Sequence, residues 1–155
     1  MGILKRVAAA GHSIGNHTWS HPDIINLSPE ELATEISRTS RLINELTGQD
    51  VQFFRPPYGS ISEQISRSIM EKGLYPILWD LDTNDWDVTI TEPIYERVVS
   101  RLKEQSIILM HDGGGPREST VEALPKIIEY LKQEGYQFLT IPEYYQRIYP
   151  IDHES

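Results

Sequence analysis

The sequence contains no cysteine among its 155 residues. No disulfide can therefore stabilise the fold, and no thiol can act as a nucleophile or a metal ligand. No apolar run approaches the about 20 residues that a membrane-spanning helix requires. Basic residues are also scarce, since 14 lysines and arginines stand against 23 aspartates and glutamates, for a formal net charge of -9. This balance argues against nucleic acid as a partner, because phosphate binding needs a surplus of basic residues.

The rest of the composition is typical of a globular protein, with 39% hydrophobic and 24% charged residues. A chain of this length suffices for one domain around a single core, and we expect one domain over residues 1–155. The apolar stretch near the first residues is too short and too weakly hydrophobic for the core of a signal peptide. The sequence therefore leaves the localisation open.

Helix signals recur along the chain, and they are best formed around Ser28. Ser28 is a candidate N-cap, Pro29 suits the first turn, Glu31 can complete a capping box, and Gly48 suits the helix end. The other predicted helices end near residue 10 or cover residues 62–72, 92–103, 119–133 and 142–148. Pro125 is expected to kink or delay the helix in which it lies.

Short apolar runs separate these helices and predict strands over residues 51–54, 74–82, 105–112 and 136–141. Strands that alternate with helices of this length indicate parallel βα units, because a parallel connection needs a crossover of about a dozen residues. The predicted fold class is therefore α/β. Ligands bind at the carboxyl ends of the strands in such folds. Four polar motifs, NHTWSH, RPPYG, DTNDW and MHDGGG, each follow an apolar run, so we expect them on one shared rim.

The motif NHTWSHP places two histidines four residues apart, His17 and His21. This spacing puts both imidazoles on one side of a helical turn, where both can reach a single cation such as zinc. Pro22 ends the motif and favours a short rigid segment over a regular helix. Solvated or capping histidines in a loop are the alternative. Two ligands also do not complete a catalytic zinc site, which usually has three protein ligands and one open position.

The motif FFRPPYG places Arg55 at the end of a predicted strand. An arginine that follows two phenylalanines is costly to leave unpaired, so we expect it to hold a carboxylate, with a surface ion pair as the alternative. The two prolines fix the following backbone, and a rigid turn can direct an N–H group at a developing oxyanion. Tyr58 is the first residue after them that has such an N–H group.

Two carboxylates and an indole follow another apolar strand in the motif DTNDW, and His111 ends the apolar run IILMH. A carboxylate from a neighbouring strand could hold this histidine protonated as a general acid. Asp85 is the first candidate for that partner and Asp82 is the second. An ordinary acidic loop and a structural core histidine are the alternatives.

Taken in order, HTWSHP, RPPYG, DTNDW and LMHDG resemble the motifs of the metal-dependent polysaccharide deacetylases, the fourth carbohydrate esterase family with its nodulation-type chitooligosaccharide deacetylase domain. The resemblance extends from about Gly11 to Tyr144. It implies a distorted (β/α) barrel that removes acetyl groups from N-acetylglucosamine units of peptidoglycan or chitin, and in some members from O-acetylated xylan.

The resemblance also implies roles for individual residues. His17 and His21 would bind a divalent metal, most often zinc, with cobalt or another first-row ion as alternatives. Arg55 would orient the catalytic base, and the backbone N–H of Tyr58 would help to form the oxyanion hole.

His111, held by Asp85, would protonate the departing sugar nitrogen. Trp86 and Leu109 would line the groove for the acetyl methyl group.

One family motif is missing from this sequence. Members of the family carry a strand ending in T-F-D-D-G-P upstream of the histidine motif, with the catalytic base and a third metal ligand as its two aspartates. We therefore expect a barrel that lacks its first strands. Two hypotheses accompany that of a working deacetylase. The first is a catalytically impaired fragment or pseudoenzyme that binds carbohydrate or metal without turnover. The second is a homodimer formed through the open barrel edge.

Overall fold

Residues 2–149 are described by a computed structural model, and they divide into two units with separate hydrophobic cores. The first unit contains residues 2–78 and 139–149, and the second contains residues 79–138. In chain order the helices are α1 (Ile3–Ala9), α2 (Pro29–Thr47), α3 (Glu63–Met70), α4 (Ile94–Val99), α5 (Glu118–Gln133) and α6 (Ile141–Ile148). The strands are β1 (Phe53–Phe54), β2 (Tyr75–Pro76), β3 (Leu81–Asp82) and β4 (Ile108–Leu109). No helix in this described part combines the length and apolar character needed to cross a membrane.

Helix α2 begins and ends where its sequence signals indicate. The Ser28 hydroxyl accepts a hydrogen bond from the Glu31 backbone, and the Glu31 carboxylate accepts one from the Ser28 backbone at 2.8 Å. These reciprocal bonds satisfy two N–H groups that the first helical turn leaves without partners. Gly48 ends the helix in the left-handed conformation, with a φ of 72° that glycine adopts without strain. The predicted helix is confirmed.

In the first unit, β1 and β2 pair in parallel, and Asn16 extends the pairing by one bridge to Phe54. The Phe54 side chain is fully buried, and its neighbours in the core come from the turn after the histidine motif, from α2, from α3 and from the start of β2. These residues are Ile24, Leu32, Ile36, Ile69 and Leu74. On the other side of the sheet, Tyr145 of α6 contacts Phe53 and Tyr75 with ring centroids 6.1 and 5.7 Å apart.

In the second unit, β3 and β4 also pair in parallel, with Leu81 opposite Ile108 and Asp82 opposite Leu109. Helices α4 and α5 pack together, and the core consists of Leu81, Ile94, Val98, Ile127 and Leu131. The parallel pairing predicted from the sequence is confirmed for both strand pairs. Of the two effects predicted for Pro125, the delay is wrong, because α5 begins at Glu118 and contains the proline within its length, and the kink stays a prediction.

Other elements also differ from their predictions, including the strands predicted over residues 51–54 and 105–112, which are limited to β1 and β4. The strand predicted over residues 136–141 is absent, because Thr140 instead caps α6 through reciprocal hydrogen bonds with Glu143. The predicted strand over residues 74–82 is two short strands, β2 and β3, which belong to different units. The predicted helix over residues 92–103 is limited to α4, Ile94–Val99. An apolar run does not specify its hydrogen-bonding partner, so strand bounds are fixed only in the folded chain.

Candidate active site

His17 and His21 lie side by side in the first unit. Their ring centroids are 4.9 Å apart, and the rings meet edge to face at 76°. The segment between them is not a helical turn, as the spacing alone suggests, but a loop in which Thr18 and His21 have φ angles of 66° and 59°. Left-handed backbone at two non-glycine residues is strained and persists only when the surroundings hold it. The loop brings the two imidazoles together as predicted.

The ring of His17 has a defined proton arrangement. Its Nδ1 atom hydrogen-bonds the main-chain carbonyl oxygen of Arg55, and a carbonyl can only accept. Nδ1 is therefore the donor of this hydrogen bond, and Nε2 is the other nitrogen of the ring. Metal-binding histidines generally use this arrangement, in which one nitrogen is fixed by a carbonyl and the other faces the ion.

Asn16 fixes the loop from beneath, and sequence analysis did not identify it. Its side chain is buried, its amide donates to the carbonyl of Ile36 and the hydroxyl of Ser40, both at 2.8 Å, and its oxygen accepts from the backbone of Thr18 at 2.9 Å. The Thr18 hydroxyl in turn accepts from the backbone N–H of His21 at 3.1 Å. The histidine loop is thus tied to helix α2 through one buried amide.

Glu35 fixes the outer part of the same loop. Its carboxylate accepts hydrogen bonds from the backbone of Trp19 at 2.7 Å and from the backbone and hydroxyl of Ser20, both at 2.8 Å. Burial raises the pKa of Glu35, but the hydrogen bonds from Ser20 and Trp19 and the nearby Arg38 charge outweigh it and lower the pKa overall. Arg38 also lies 3.7 Å from the centre of the Trp19 ring.

Arg55 and Tyr58 frame the histidines from the end of β1. The Arg55 backbone N–H donates to the Asn16 carbonyl at 2.9 Å, which fixes the carbonyl that faces His17. Tyr58 lies in the short turn Pro57–Gly59 with a φ of 59°, and its ring contacts His21 with centroids 4.8 Å apart. The carboxylate partner expected for the Arg55 side chain stays a prediction.

Two imidazoles suit two positions of a divalent metal site, and the proton on His17 Nδ1 agrees with that use. Within residues 2–149, however, no group of three or more histidine, aspartate or glutamate side chains could hold a metal ion. A catalytic zinc usually has three protein ligands. Within the described residues, the two imidazoles alone do not make a complete set of this kind.

The second unit contains a buried aspartate that pairs with a partly exposed histidine. The Nδ1 atom of His111 lies 2.7 Å from Oδ1 of Asp85, and the His111 backbone N–H donates to Oδ2 at 2.8 Å. The Asp85 side chain has no exposed surface, whereas 27% of the His111 side chain is exposed. Asp82, the second candidate partner, instead accepts from the backbone of Asn84 at 2.8 Å. The first candidate, Asp85, is therefore the residue that pairs with His111.

Asp85 stays ionised despite its burial. Burial by itself raises the pKa of the carboxyl, but hydrogen bonds from the His111 ring, the His111 backbone and the Thr120 hydroxyl outweigh it and hold the pKa below its ordinary value. The Thr120 hydroxyl donates to Oδ2 at 2.9 Å. A carboxylate with this many donors can orient an imidazole and stabilise its protonated form.

Arg97 supports the loop that carries Asp85, and sequence analysis did not identify it. Only 4% of this residue is exposed, and its guanidinium donates to the carbonyls of Thr83 and Asn84, the two residues before Asp85. The Thr83 hydroxyl donates to the Leu109 carbonyl at 2.8 Å, which ties the loop to β4. These bonds hold Asn84 in a left-handed conformation with a φ of 48°.

Trp86 and Leu109, the predicted lining of an acetyl groove, differ in exposure. Trp86 is 53% exposed beside Asp85, and Leu109 is buried in β4. The histidine pair and the Asp85–His111 pair belong to different units. The single rim that the sequence predicts for all four motifs stays a prediction, as does the groove.

Comparisons with known proteins agree with the motifs. A model of the family described as "Polysaccharide deacetylase" matches residues 1–77. A peptidoglycan-N-acetylglucosamine deacetylase of Bacillus cereus is 38% identical over 145 residues, which are 93% of this chain and 53% of that protein. The chain belongs to the polysaccharide deacetylase family.

Two solved structures of the family share the fold. The Bc1960 peptidoglycan N-acetylglucosamine deacetylase superposes with a TM-score of 0.86 at 38% identity, covering 91% of this chain and 66% of that one. BA3943 of Bacillus anthracis, described as a pseudoenzyme of carbohydrate esterase family four, superposes with a TM-score of 0.81 at 34% identity, covering 90% and 48%. The chain thus spans about half the length of the Bacillus cereus relative and of BA3943.

Proposed function

We propose that this protein is a metal-dependent hydrolase that removes acetyl groups from N-acetylated amino sugars in a polysaccharide such as peptidoglycan or chitin. The observation that carries the proposal is the buried Asp85 carboxylate that holds His111 through Nδ1 at 2.7 Å in a chain of this family. This geometry suits a general acid, and the names of the Bacillus cereus relative and the Bc1960 enzyme supply the substrate class.

His111 would act on the leaving group. When both ring nitrogens are protonated, Nδ1 stays bound to Asp85 and Nε2 is available to donate. Water loses one proton to a general base as it adds to the acetyl carbonyl carbon, the carbon–nitrogen bond breaks, the proton from Nε2 passes to the departing nitrogen, and the acetic acid formed ionises. The products are acetate and a free amino sugar. The ionised Asp85 stabilises the imidazolium before transfer and keeps its orientation.

Tyr58 and Arg55 would serve the same reaction from the first unit. The strained backbone at Tyr58, with a φ of 59°, supports a fixed direction for its N–H group as an oxyanion donor. Arg55 would orient the catalytic base, which in the family is the first aspartate of T-F-D-D-G-P, a motif missing from this sequence. In the second unit, Trp86 and Leu109 would contact the acetyl methyl group.

His17 and His21 would hold the divalent metal, with zinc as the first candidate and cobalt or another first-row ion as alternatives. When bound there, the ion would supply Lewis-acid chemistry: it would polarise the acetyl carbonyl and lower the pKa of a water. The Arg55 carbonyl fixes the His17 ring for this purpose, and the hydroxyl of Thr18 fixes the backbone of His21.

The distorted (β/α) barrel, a single domain over residues 1–155 and a homodimer through a sheet edge belong to the same proposal. The parallel pairing within β1–β2 and within β3–β4 agrees with the parallel βα units from which such a barrel is built. Light scattering that gives one copy per particle at high concentration would contradict the homodimer.

Acetate release from N-acetylglucosamine oligomers with added zinc or cobalt tests the activity. We expect release by the unaltered chain and a loss of about 100-fold or more in His111→Ala, because general acid catalysis typically contributes 10²–10⁴-fold. His12→Ala is the matched control, since it removes an exposed histidine outside both pairs. Equal rates for the two variants would contradict the role of His111.

A pseudoenzyme that binds metal or carbohydrate weakly and without turnover is the second candidate. The two-histidine ligand set within residues 2–149 and the likeness to BA3943 favour it. Calorimetric zinc titration separates the candidates, because two imidazoles bind far more weakly than a complete three-ligand site. Tight, stoichiometric zinc binding would count against the pseudoenzyme.

A further inference from the structure

The first turn of α5 contacts the Asp85–His111 pair through one side chain, that of Thr120. Thr120 is 6% exposed and lies 35 positions from Asp85 in the sequence. Its hydroxyl donates to Oδ2 of Asp85 at 2.9 Å. No motif discussed above includes this residue, and a threonine in the first turn of a helix is by itself unremarkable in sequence.

The distribution of donors over the Asp85 carboxylate shows what this bond does. Oδ1 is hydrogen-bonded to the ring of His111, whereas Oδ2 accepts hydrogen bonds from the backbone N–H of His111 and from the hydroxyl of Thr120. His111 thus contacts both oxygens, and Thr120 contributes the donor that comes from a different element. With Oδ2 held at two points, the carboxylate plane cannot turn about the bond to its β-carbon without breaking a hydrogen bond.

The alternative use of the Thr120 hydroxyl would be local. Threonine in a helix commonly returns its hydroxyl to a carbonyl three or four residues earlier. Thr34 of α2 does so, donating to the carbonyl of Glu30 at 2.9 Å. Thr120 instead directs its hydroxyl into the buried carboxylate, where a charge-assisted hydrogen bond is stronger than a neutral one.

We propose that Thr120 is a positioning residue for the proposed deacetylation: it locks the Asp85 carboxylate so that Oδ1 meets Nδ1 of His111 and Nε2 is directed at the leaving group. The proposal rests on the proposed function of His111. Thr120 touches neither the reacting atoms nor the substrate in this scheme. It acts through Asp85, and α5 is the rigid element from which it does so.

Thr120→Val and Thr120→Ser test the bond in the full chain. Valine keeps the shape and removes the hydroxyl, whereas serine keeps the hydroxyl. The first readout is the proton resonance of His111 Nδ1–H, assigned by its absence in His111→Ala. The second is the pair kcat and KM for acetate release from N-acetylglucosamine oligomers. Thr34→Val is the matched control, because it removes a helical threonine hydroxyl that bonds only its own helix.

We expect Thr120→Val to move the His111 resonance upfield and to lower kcat about tenfold with little change in KM, because one hydrogen bond to a charged group is lost. Thr120→Ser should retain most of both values, and Thr34→Val should change neither. In an Asp85→Asn background, Thr120→Val should have no further effect on kcat.

A parent-like resonance in Thr120→Val would overturn the proposal, as would equal losses in the serine and valine variants, which would indicate methyl packing instead. If the valine variant does not fold, the same comparison between Thr120→Ser and Thr120→Ala decides. If the unaltered chain releases no acetate, the proposed function fails, and the resonance still decides whether Thr120 positions the pair.

Discussion

Nδ1 of His17 faces the main-chain carbonyl of Arg55, 38 positions later in the chain. This hydrogen bond links the histidine loop to the end of β1 and makes Nδ1 the donor, so Nε2 is the nitrogen that would bind a metal. The strand pairing beneath it, through the backbones of Asn16 and Arg55, holds both partners in place. The sequence motif therefore depends on contacts that lie outside it, and the following predictions test them.

Asn16→Ala should lower the free energy of unfolding by about 2–4 kcal/mol, because it removes a buried amide and leaves the Ile36 carbonyl and the Thr18 N–H without their partner. Urea denaturation measures this loss. Asn44→Ala is the matched control, since its amide lies on the same helix, is exposed, and also donates two hydrogen bonds, to the Gln49 carbonyl and the Asp50 carboxylate. Equal losses would show that the burial of Asn16 is unimportant.

Glu35→Ala should weaken zinc binding about tenfold, because metal affinity falls when a residue that holds the metal-binding side chains in place is removed. The carboxylate holds Trp19 and Ser20 within the segment between the two histidines, so its removal frees the loop. Calorimetric titration with zinc measures the change. Glu45→Ala removes an exposed glutamate of the same helix and should leave the affinity as it was. An unchanged zinc affinity in Glu35→Ala would contradict the prediction that the loop held by Glu35 contributes to metal binding.

The Asp85 carboxylate should contribute stability that depends on pH. Its pKa is lower in the folded chain, so the unfolded chain binds more protons and stability rises with pH. The contribution is present above the unfolded pKa of about 3.9 and is lost as the pH falls through the lower folded pKa. The free energies of unfolding of the parent and of Asp85→Asn should differ at about pH 7 and become equal at about pH 2. A constant difference across this range would contradict the assignment.

Arg97→Met should lower the free energy of unfolding by about 2 kcal/mol, because the buried carbonyl of Thr83 and the part-buried carbonyl of Asn84 lose a charged donor. It should also shift the His111 resonance, since the loop holds Asp85. Arg101→Met, which removes a half-exposed ion pair with Glu92, should cost less than about 1 kcal/mol. An unchanged free energy of unfolding and an unchanged His111 resonance in Arg97→Met would show that the loop keeps its conformation without the guanidinium.

Local chemistry could be read from the sequence where a few neighbouring residues settle it. Ser28 and Glu31 form the predicted capping box because both partners lie within one helical turn. The same holds for the parallel α/β order, which follows from the spacing of apolar runs. The motifs could also be identified from the sequence. Asp85 could be ranked above Asp82 as the partner of His111.

Strand bounds and supports of the site were decided by tertiary structure. The run at residues 136–141 is apolar enough for a strand, but Thr140 forms a helix cap instead. Asn16, Glu35, Arg97 and Thr120 act through partners 13 to 35 positions away. Propensity and periodicity describe only near neighbours along the chain, whereas a hydrogen bond between distant residues exists only after packing has brought a donor to an acceptor and excluded water from both.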